Sequence, residues 1–118
     1  MENSILNSIK KILGIADDYT AFDLDIITHI NTVLSTLSQL GIGPNEGFMI
    51  EDDSAEWSDF IDMDADIQFN AVKSYIFLKV KMMFDPPQTQ YVIAAYNKQL
   101  EELEWRLNAH REEILDGS

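Results

Sequence analysis

The chain has 118 residues, which is enough for one domain, and 46% of them are hydrophobic, as in an ordinary globular protein. Its 21 acidic and 8 basic side chains give a net charge of −13, which argues against binding nucleic acid through its phosphates and favours basic partners. The absence of cysteine excludes disulfides, thiolate nucleophiles and zinc held by thiolates. We recognise neither a signal-peptide pattern nor an apolar stretch of about 18 residues, so we expect a cytoplasmic protein without a membrane partner.

Residues 3–14 have the spacing of an amphipathic helix. Gly14 is suited to end this helix, and Lys10 and Lys11 lie in its last turn, where positive charge is favoured. Because the segment lacks aromatic residues, we expect it to dock on its own domain and not on a membrane. Its apolar positions are Ile5, Leu6, Ile9, Ile12 and Leu13.

A long second helix is predicted from about Thr20, with Thr20 and Asp23 as a capping box, to Gly41. Its apolar line is Phe22, Ile26, Ile30, Val33, Leu37 and Leu40. The opposite face is small and uncharged, so that covering it with another subunit would bury no charge. That face consists of Thr28, Asn31, Thr32, Ser35, Ser38 and Gln39, among which Asn31 and Ser35 are candidate interface residues.

The middle of the chain predicts a loop over residues 41–54, with a possible short strand at residues 48–50. Residues 45–66 contain nine acidic and no basic side chains. Trp57 and Phe60 interrupt this acidic stretch at helical spacing, and we expect both to anchor a short helix in the core. The carboxylates either face a partner or are simply solvated. The candidates for a partner-facing role are Glu46, Glu51, Asp52 and Asp53.

The next helix, starting after Asp64 or Asp66 as its cap, is apolar over most of its circumference and should therefore be central. Its predicted core positions include Tyr75, Ile76, Val80, Met83 and Phe84. Pro86 and Pro87 end it, since proline has no backbone N–H and restricts the preceding residue. The two prolines are predicted to act as a hinge that sets the direction of the last helix.

The last helix is predicted to begin at a cap formed by Gln88 or Thr89. Its apolar stripe is Val92, Tyr96, Leu100, Leu103 and Leu107. Glu102 and Arg106 have the spacing of an ion pair, and Trp105 lies off the stripe, where it can face a different neighbour. Residues 110–118 are predicted to be a flexible tail. Trp105, Arg106 and Arg111 are candidate interface residues.

No arrangement of residues predicts catalysis, a cofactor or a metal. Asp62, Asp64 and Asp66 match the start of a calcium-binding loop, but Ile67 replaces its glycine and Lys73 its final glutamate. His29 and His110 have no spaced partner, and no phosphate-binding loop or nucleophile elbow is found. We therefore predict a non-enzymatic, all-α protein: one domain over residues 1–118, built as a bundle of about four to five helices.

The order of these features resembles the head–tail connector, or adaptor, family of tailed bacteriophages and prophages. The resemblance covers nearly the whole chain, and its most specific parts are residues 84–87 (Phe-Asp-Pro-Pro) and 102–107 (Glu-Leu-Glu-Trp-Arg-Leu). The other matching parts are residues 13–15 (Leu-Gly-Ile), 18–26, which open the second helix, 40–44 (Leu-Gly-Ile-Gly-Pro), 47–48 (Gly-Phe), 57–60 (Trp-Ser-Asp-Phe) and 72–80.

The resemblance implies a structural virion protein that forms a ring, commonly a dodecamer, below the portal protein. Such a ring extends the DNA channel and provides the docking surface for a stopper or tail-completion protein. The location would be the host bacterial cytoplasm before assembly and the head–tail interface of the virion afterwards. The acidity of the chain leaves one alternative open, an acidic DNA mimic or regulatory inhibitor that binds a basic partner.

Overall fold

The computed structural model describes residues 3–61 and 69–116, with side chains up to residue 109. Five helices occupy this part of the chain: α1 (Ile5–Ile12), α2 (Asp23–Gln39), α3 (Trp57–Phe60), α4 (Phe69–Phe84) and α5 (Gln90–Asp116). Within the same residues there is no strand, so residues 48–50 belong to a loop, and one isolated antiparallel bridge joins Ser4 to Glu56. The predicted all-α bundle is confirmed.

Helix α1 docks on its own domain, as its apolar spacing predicted. The Ser4 hydroxyl caps it by accepting a hydrogen bond from the Asn7 N–H at 3.2 Å. Ile5, Leu6 and Ile9 are buried against the core. The backbone at the start of α3 then holds the start of α1, because the Ile5 N–H donates to the Ala55 carbonyl and the Trp57 N–H to the Asn3 carbonyl, both at 3.0 Å.

The predicted capping box of α2 is wrong. The helix begins at Asp23, its N-cap residue is Phe22, and no side chain caps it. The Thr20 carbonyl accepts the Asp23 N–H at 3.2 Å, while the Asp23 carboxylate pairs with Lys10 of α1 at 2.8 Å. The Asp23 carboxylate stabilises the buried Lys10 ammonium more than it would stabilise the helix N-terminus, because water can solvate the terminal N–H groups.

Helix α4 is central, as predicted, because it packs against both α2 and α5. Val72, Ile76 and Val80 are fully buried. The helix ends at Phe84, directly before Asp85 and the two prolines, which confirms the predicted stop. The prediction of Met83 as a core residue is wrong: its side chain is 39% exposed, whereas its neighbours Met82 and Phe84 are half-buried against the core.

Helix α5 begins after Thr89, whose hydroxyl accepts a hydrogen bond from the Val92 N–H at 3.3 Å. Leu100 and Leu107, which belong to its apolar stripe, are buried in the core. The backbone of residues 110–116 continues the helix, and the flexibility predicted for residues 110–118 stays a prediction. The acidic triplet Asp62, Asp64 and Asp66, with the helix cap predicted there, lies outside the described residues.

Candidate interaction surfaces

The polar face of α2 forms one wall of an open groove of about 990 Å³, and residues 46–49 form the other wall. We call this groove the α2 groove. It is lined by Thr28, Asn31, Thr32, Ser35, Thr36, Ser38, Gln39, Glu46, Gly47, Phe48 and Met49. The structure thus brings Asn31 and Ser35, both candidate interface residues, into one concave surface together with Glu46.

Asn31 has a structural role that its position on the polar face did not indicate. Its side-chain oxygen accepts a hydrogen bond from the Ile50 N–H at 2.8 Å, and its amide group donates to the Ile50 carbonyl at 3.0 Å. Ile50 itself is buried. Asn31 therefore fastens the loop to α2 and holds the two walls of the α2 groove together. The pair could not be predicted from the sequence, because its partners are nineteen positions apart along the chain.

The threonine hydroxyls along this face are already used within the helix. The hydroxyls of Thr28, Thr32 and Thr36 donate to the backbone carbonyls four residues earlier, at 2.9, 2.9 and 3.3 Å. Threonine commonly satisfies its hydroxyl in this way inside a helix. Because these donors need no water, covering this wall with a partner carries a small desolvation cost.

Four acidic residues of the loop, which we call the acidic rim, comprise Glu46 in the lining of the α2 groove and three that follow Ile50 along the chain. The rim residues Glu46, Glu51, Asp52 and Asp53 are all exposed, and none of them forms an ion pair with a described side chain. Hydrogen bonds from the hydroxyl and the N–H of Ser54 hold the pKa of Asp52 below its usual value. Asp52 therefore stays charged at neutral pH, in the same loop as the exposed Met49.

The outer face of α5 is a second exposed surface. Trp105 is 73% exposed and Tyr91 85%, so both rings are available for contact. Arg106 is also exposed, and it lines a smaller groove of about 270 Å³ between α4 and α5 with Glu102. The predicted ion pair of Glu102 with Arg106 is wrong, since the ion pairs among the described side chains do not include it. The side chain of Arg111 lies outside the described part.

The residues proposed as core and hinge lie away from both surfaces. Trp57 and Phe60 are buried, and the Trp57 ring N–H donates to the Ser8 hydroxyl at 3.1 Å. The Lys73 ammonium lies 5.4 Å from the centre of the Trp57 ring, in cation–π contact. Tyr75, Ile76 and Val80 are buried in α4. Phe84 is half-buried, Pro86 is exposed and Pro87 half-buried.

One polar network joins α4 to α5. The Tyr75 hydroxyl donates to Glu104 at 3.3 Å, and the Lys79 ammonium approaches the same carboxylate oxygen at 3.6 Å. Burial and the negative charge of Glu104 raise the pKa of Tyr75 to about 12, because both disfavour a phenolate. The network holds the two helices in register about four turns beyond the start of α5.

This pKa predicts how stability depends on pH. The tyrosine pKa is about 10 in an unfolded chain, so Tyr75 contributes its full stabilisation below that pH and loses it as the pH rises towards 12. We expect the difference in unfolding free energy between the natural chain and Tyr75→Phe to fall between about pH 10 and about pH 12 in urea titrations. The exposed Tyr91→Phe is the control and should show a constant difference. A constant difference for Tyr75→Phe as well would contradict the raised pKa.

The described part of the chain holds neither a metal-binding cluster nor a membrane-crossing helix. No group of three or more His, Cys, Asp or Glu side chains there is placed to hold a metal ion. No described helix combines the length and the apolar character needed to cross a membrane. The described part of the chain therefore offers surfaces for contact with other molecules.

A comparison with protein families matches residues 5–114 to the family described as phage connector protein. No curated protein and no solved structure shows a significant match. The family match spans nearly the whole chain, including α1, both walls of the α2 groove and most of α5. The chain therefore belongs to the phage connector protein family, a family of structural, virion-associated proteins.

Proposed function

We propose that the protein is a head–tail connector, or adaptor, which forms a ring below the portal protein, extends the DNA channel and docks a stopper or tail-completion protein. The observation that carries the proposal is the family match over residues 5–114. The ring is proposed to be a dodecamer, assembled in the virion from subunits made in the host bacterial cytoplasm.

The charge of the chain supports a role around passing DNA. A channel wall must let the duplex slide, and a subunit with a net charge of −13 repels phosphates. Of the described cations, Lys10, Lys79 and Lys81 are held in ion pairs with carboxylates of the same chain. Few positive charges are therefore left to grip DNA, and we propose that the protein makes no sequence-specific contact with nucleic acid.

The exposed surfaces support a role in assembly. Trp105 and Tyr91 expose large aromatic side chains on α5. At the α2 groove, the apolar side chain of Met49 is 70% exposed. Such side chains are enriched at protein interfaces. We propose that the acidic rim and the candidate residues of α5 contact the neighbouring subunit, the portal or the stopper.

The test is to mix the purified protein with its cognate portal protein and to image the complex by electron microscopy. We expect a ring of connector density on the side of the portal where the tail attaches, and no ring in a sample without portal. A portal that stays bare, together with tight binding of the chain to a DNA-binding protein, would contradict the connector role and support an acidic inhibitor. A mobility-shift assay with duplex DNA should show no binding.

A further inference from the structure

We propose that three neighbouring aromatic rings, together with the carboxylates beside them, form a docking site for a basic, arginine-bearing segment of another protein. The rings belong to Tyr19, Phe22 and Phe84, and we call them the aromatic triad. The lining of the α2 groove includes none of the three, so this is a separate surface. The inference goes beyond the connector role and does not depend on it.

The aromatic triad joins the start of α2 to the end of α4. The ring centres of Phe22 and Phe84 are 5.4 Å apart at an interplanar angle of 71°, and those of Tyr19 and Phe22 are 5.7 Å apart at 53°. Phe84 also packs against the core, so it anchors the other two rings. A partner can therefore meet a surface that is already ordered, which lowers the entropic cost of binding.

The aromatic triad remains open to water although its rings contact each other. Tyr19 is 51% exposed and Phe22 42%, while Phe84 is half-buried. The rings meet at tilted or edge-to-face angles, and such contacts leave ring faces uncovered. The fold thus leaves a contiguous aromatic surface exposed, and exposed apolar surface of this kind is typical of an interaction site.

The segments that carry the triad contain carboxylates and no cation. Residues 15–25 contain four aspartates and residues 82–97 contain one, and neither range includes lysine, arginine or histidine. Lys10 and Lys81 reach this region from outside the two ranges, and each is paired with one of these five aspartates at 2.8 Å. The exposed Lys11 of α1 pairs with none of them. The two paired lysines therefore leave three carboxylates without a cation.

These three carboxylates lie close to the triad along the chain. Asp17, Asp18 and Asp25 are all exposed, and none forms an ion pair with a described side chain. Asp18 directly precedes Tyr19, and Asp25 follows Phe22 by three positions, a spacing at which side chains are neighbours on a helix. The aromatic surface is therefore flanked by negative charge that the chain itself does not neutralise.

An arginine-bearing segment fits this combination of rings and carboxylates. A guanidinium can lie on an aromatic face, and its N–H groups can bind a carboxylate at two points. The same aspartates would repel the phosphates of nucleic acid. A second copy of this chain, with 21 acidic and 8 basic side chains, would be repelled as well. The charge therefore favours a basic segment of a different protein.

A peptide titration followed by NMR tests the proposal on the natural chain. The probe is a short blocked peptide with arginine and leucine spaced by glycine and serine. It is added to isotope-labelled protein at physiological ionic strength, where charges more than about 10 Å apart are largely screened. We expect the largest amide shifts at residues 18–25 and 84–85. Shifts of equal size at residues 51–53 of the acidic rim would show attraction by net charge alone and would overturn the site.

The rings are tested separately from the charge. The same peptide with lysine in place of arginine keeps its net charge and should bind about two- to fivefold more weakly. Tyr19→Ala should weaken binding of the arginine peptide by a similar factor of about two to five, whereas Tyr19→Phe keeps the ring and should bind as the natural chain does. Equal affinities of the two peptides, or of Tyr19→Ala and Tyr19→Phe, would exclude the rings as the contact.

A matched pair of charge variants tests the carboxylates. Asp18→Asn combined with Asp25→Asn should weaken binding of the arginine peptide about two- to tenfold. Glu51→Gln combined with Asp53→Asn removes the same charge from the acidic rim and should change the affinity little, because these side chains are screened from the triad. If the two double variants lose the same affinity, the carboxylates beside the triad have no special part and the site is overturned.

The outcomes separate this inference from the proposed function. A ring that forms on the portal, together with a peptide that shows no preference for the triad, would overturn the site and leave the connector role in place. Peptide binding at the triad of a chain that forms no ring would support the site and contradict the connector role. Amide shifts at the triad on raising the concentration of the protein alone would show a second copy as the occupant and would overturn the proposal.

Discussion

Replacing Asp23 by alanine is expected to lower the free energy of unfolding by about 3 kcal/mol, the largest effect of any single polar substitution that we predict. The change strands the Lys10 ammonium, whose side chain is only 1% exposed and lies 2.8 Å from the Asp23 carboxylate. The same ammonium also donates a hydrogen bond to the Asp17 carbonyl at 3.0 Å. A neutral carbonyl offsets only part of the cost of burying a charge.

The two partners of this ion pair should respond unequally. Lys10→Met removes the buried charge and keeps most of the side-chain volume, so we expect it to cost about 1 kcal/mol, because Asp23 is 25% exposed and can be hydrated. Adding Lys10→Met to Asp23→Ala should therefore recover most of the stability that Asp23→Ala loses. Urea unfolding followed by circular dichroism measures all three variants.

The control for this prediction is Asp25→Ala. Asp25 shares the first turn of α2 with Asp23 but is exposed. Its loss removes a favourable charge at the helix N-terminus, which is worth about 0.3–1 kcal/mol. If Asp23→Ala costs no more than Asp25→Ala, the buried ion pair does not stabilise the fold, and Asp23 acts only on the helix dipole.

The second large effect is expected at Gly43, where alanine should cost about 2–4 kcal/mol from backbone strain and overpacking together. Gly43 has a φ of +92°, and a Cβ atom there would lie 2.5 Å from Cε1 of Phe60. The Phe60 ring has little freedom to move, since it is 3% exposed and packs on Phe48 with ring centres 5.4 Å apart. The loop or the ring must shift to admit the methyl group.

Gly41 provides the matched control for the steric part of this effect. Its φ is +79°, close to that of Gly43, but a Cβ atom there would meet no atom within 4 Å. Gly41→Ala should therefore cost only the backbone strain, about 1–2 kcal/mol. In a Phe60→Leu background, the cost of Gly43→Ala should fall towards that value. Equal costs for the two glycine substitutions in the natural background would exclude the clash with Phe60 as a cause of the destabilisation.

The helices could be predicted from the sequence because their signals are local. Apolar spacing outlined α1, α2, α4 and α5, and Gly14 and Gly41 adopt the positive φ expected after a helix. The double proline marked the end of α4 for the same reason: it acts on its own backbone and on the residue before it. The family could be inferred from the same ordered set of local features.

The interface candidates were predicted as separate residues, and the structure grouped only some of them. Ser35, Glu46 and Asn31 share the α2 groove, whereas Trp105 and Arg106 lie on α5. The sequence also suggested that Asn31 was free for a partner, although its side chain is occupied by the Ile50 backbone. Such a pair depends on how the loop returns to α2, which no local pattern encodes.

The sequence by itself determined which segments become helices, the strong acidity of the chain and its membership of a family. Only the tertiary structure decided that Lys10 would be buried against Asp23, that Gly43 would touch Phe60, and that the Asn31 side chain would bind the backbone of Ile50. The physical reason is the range of the interactions. Helix signals act over one or two turns, whereas these contacts join residues of different elements that only the folded chain brings together.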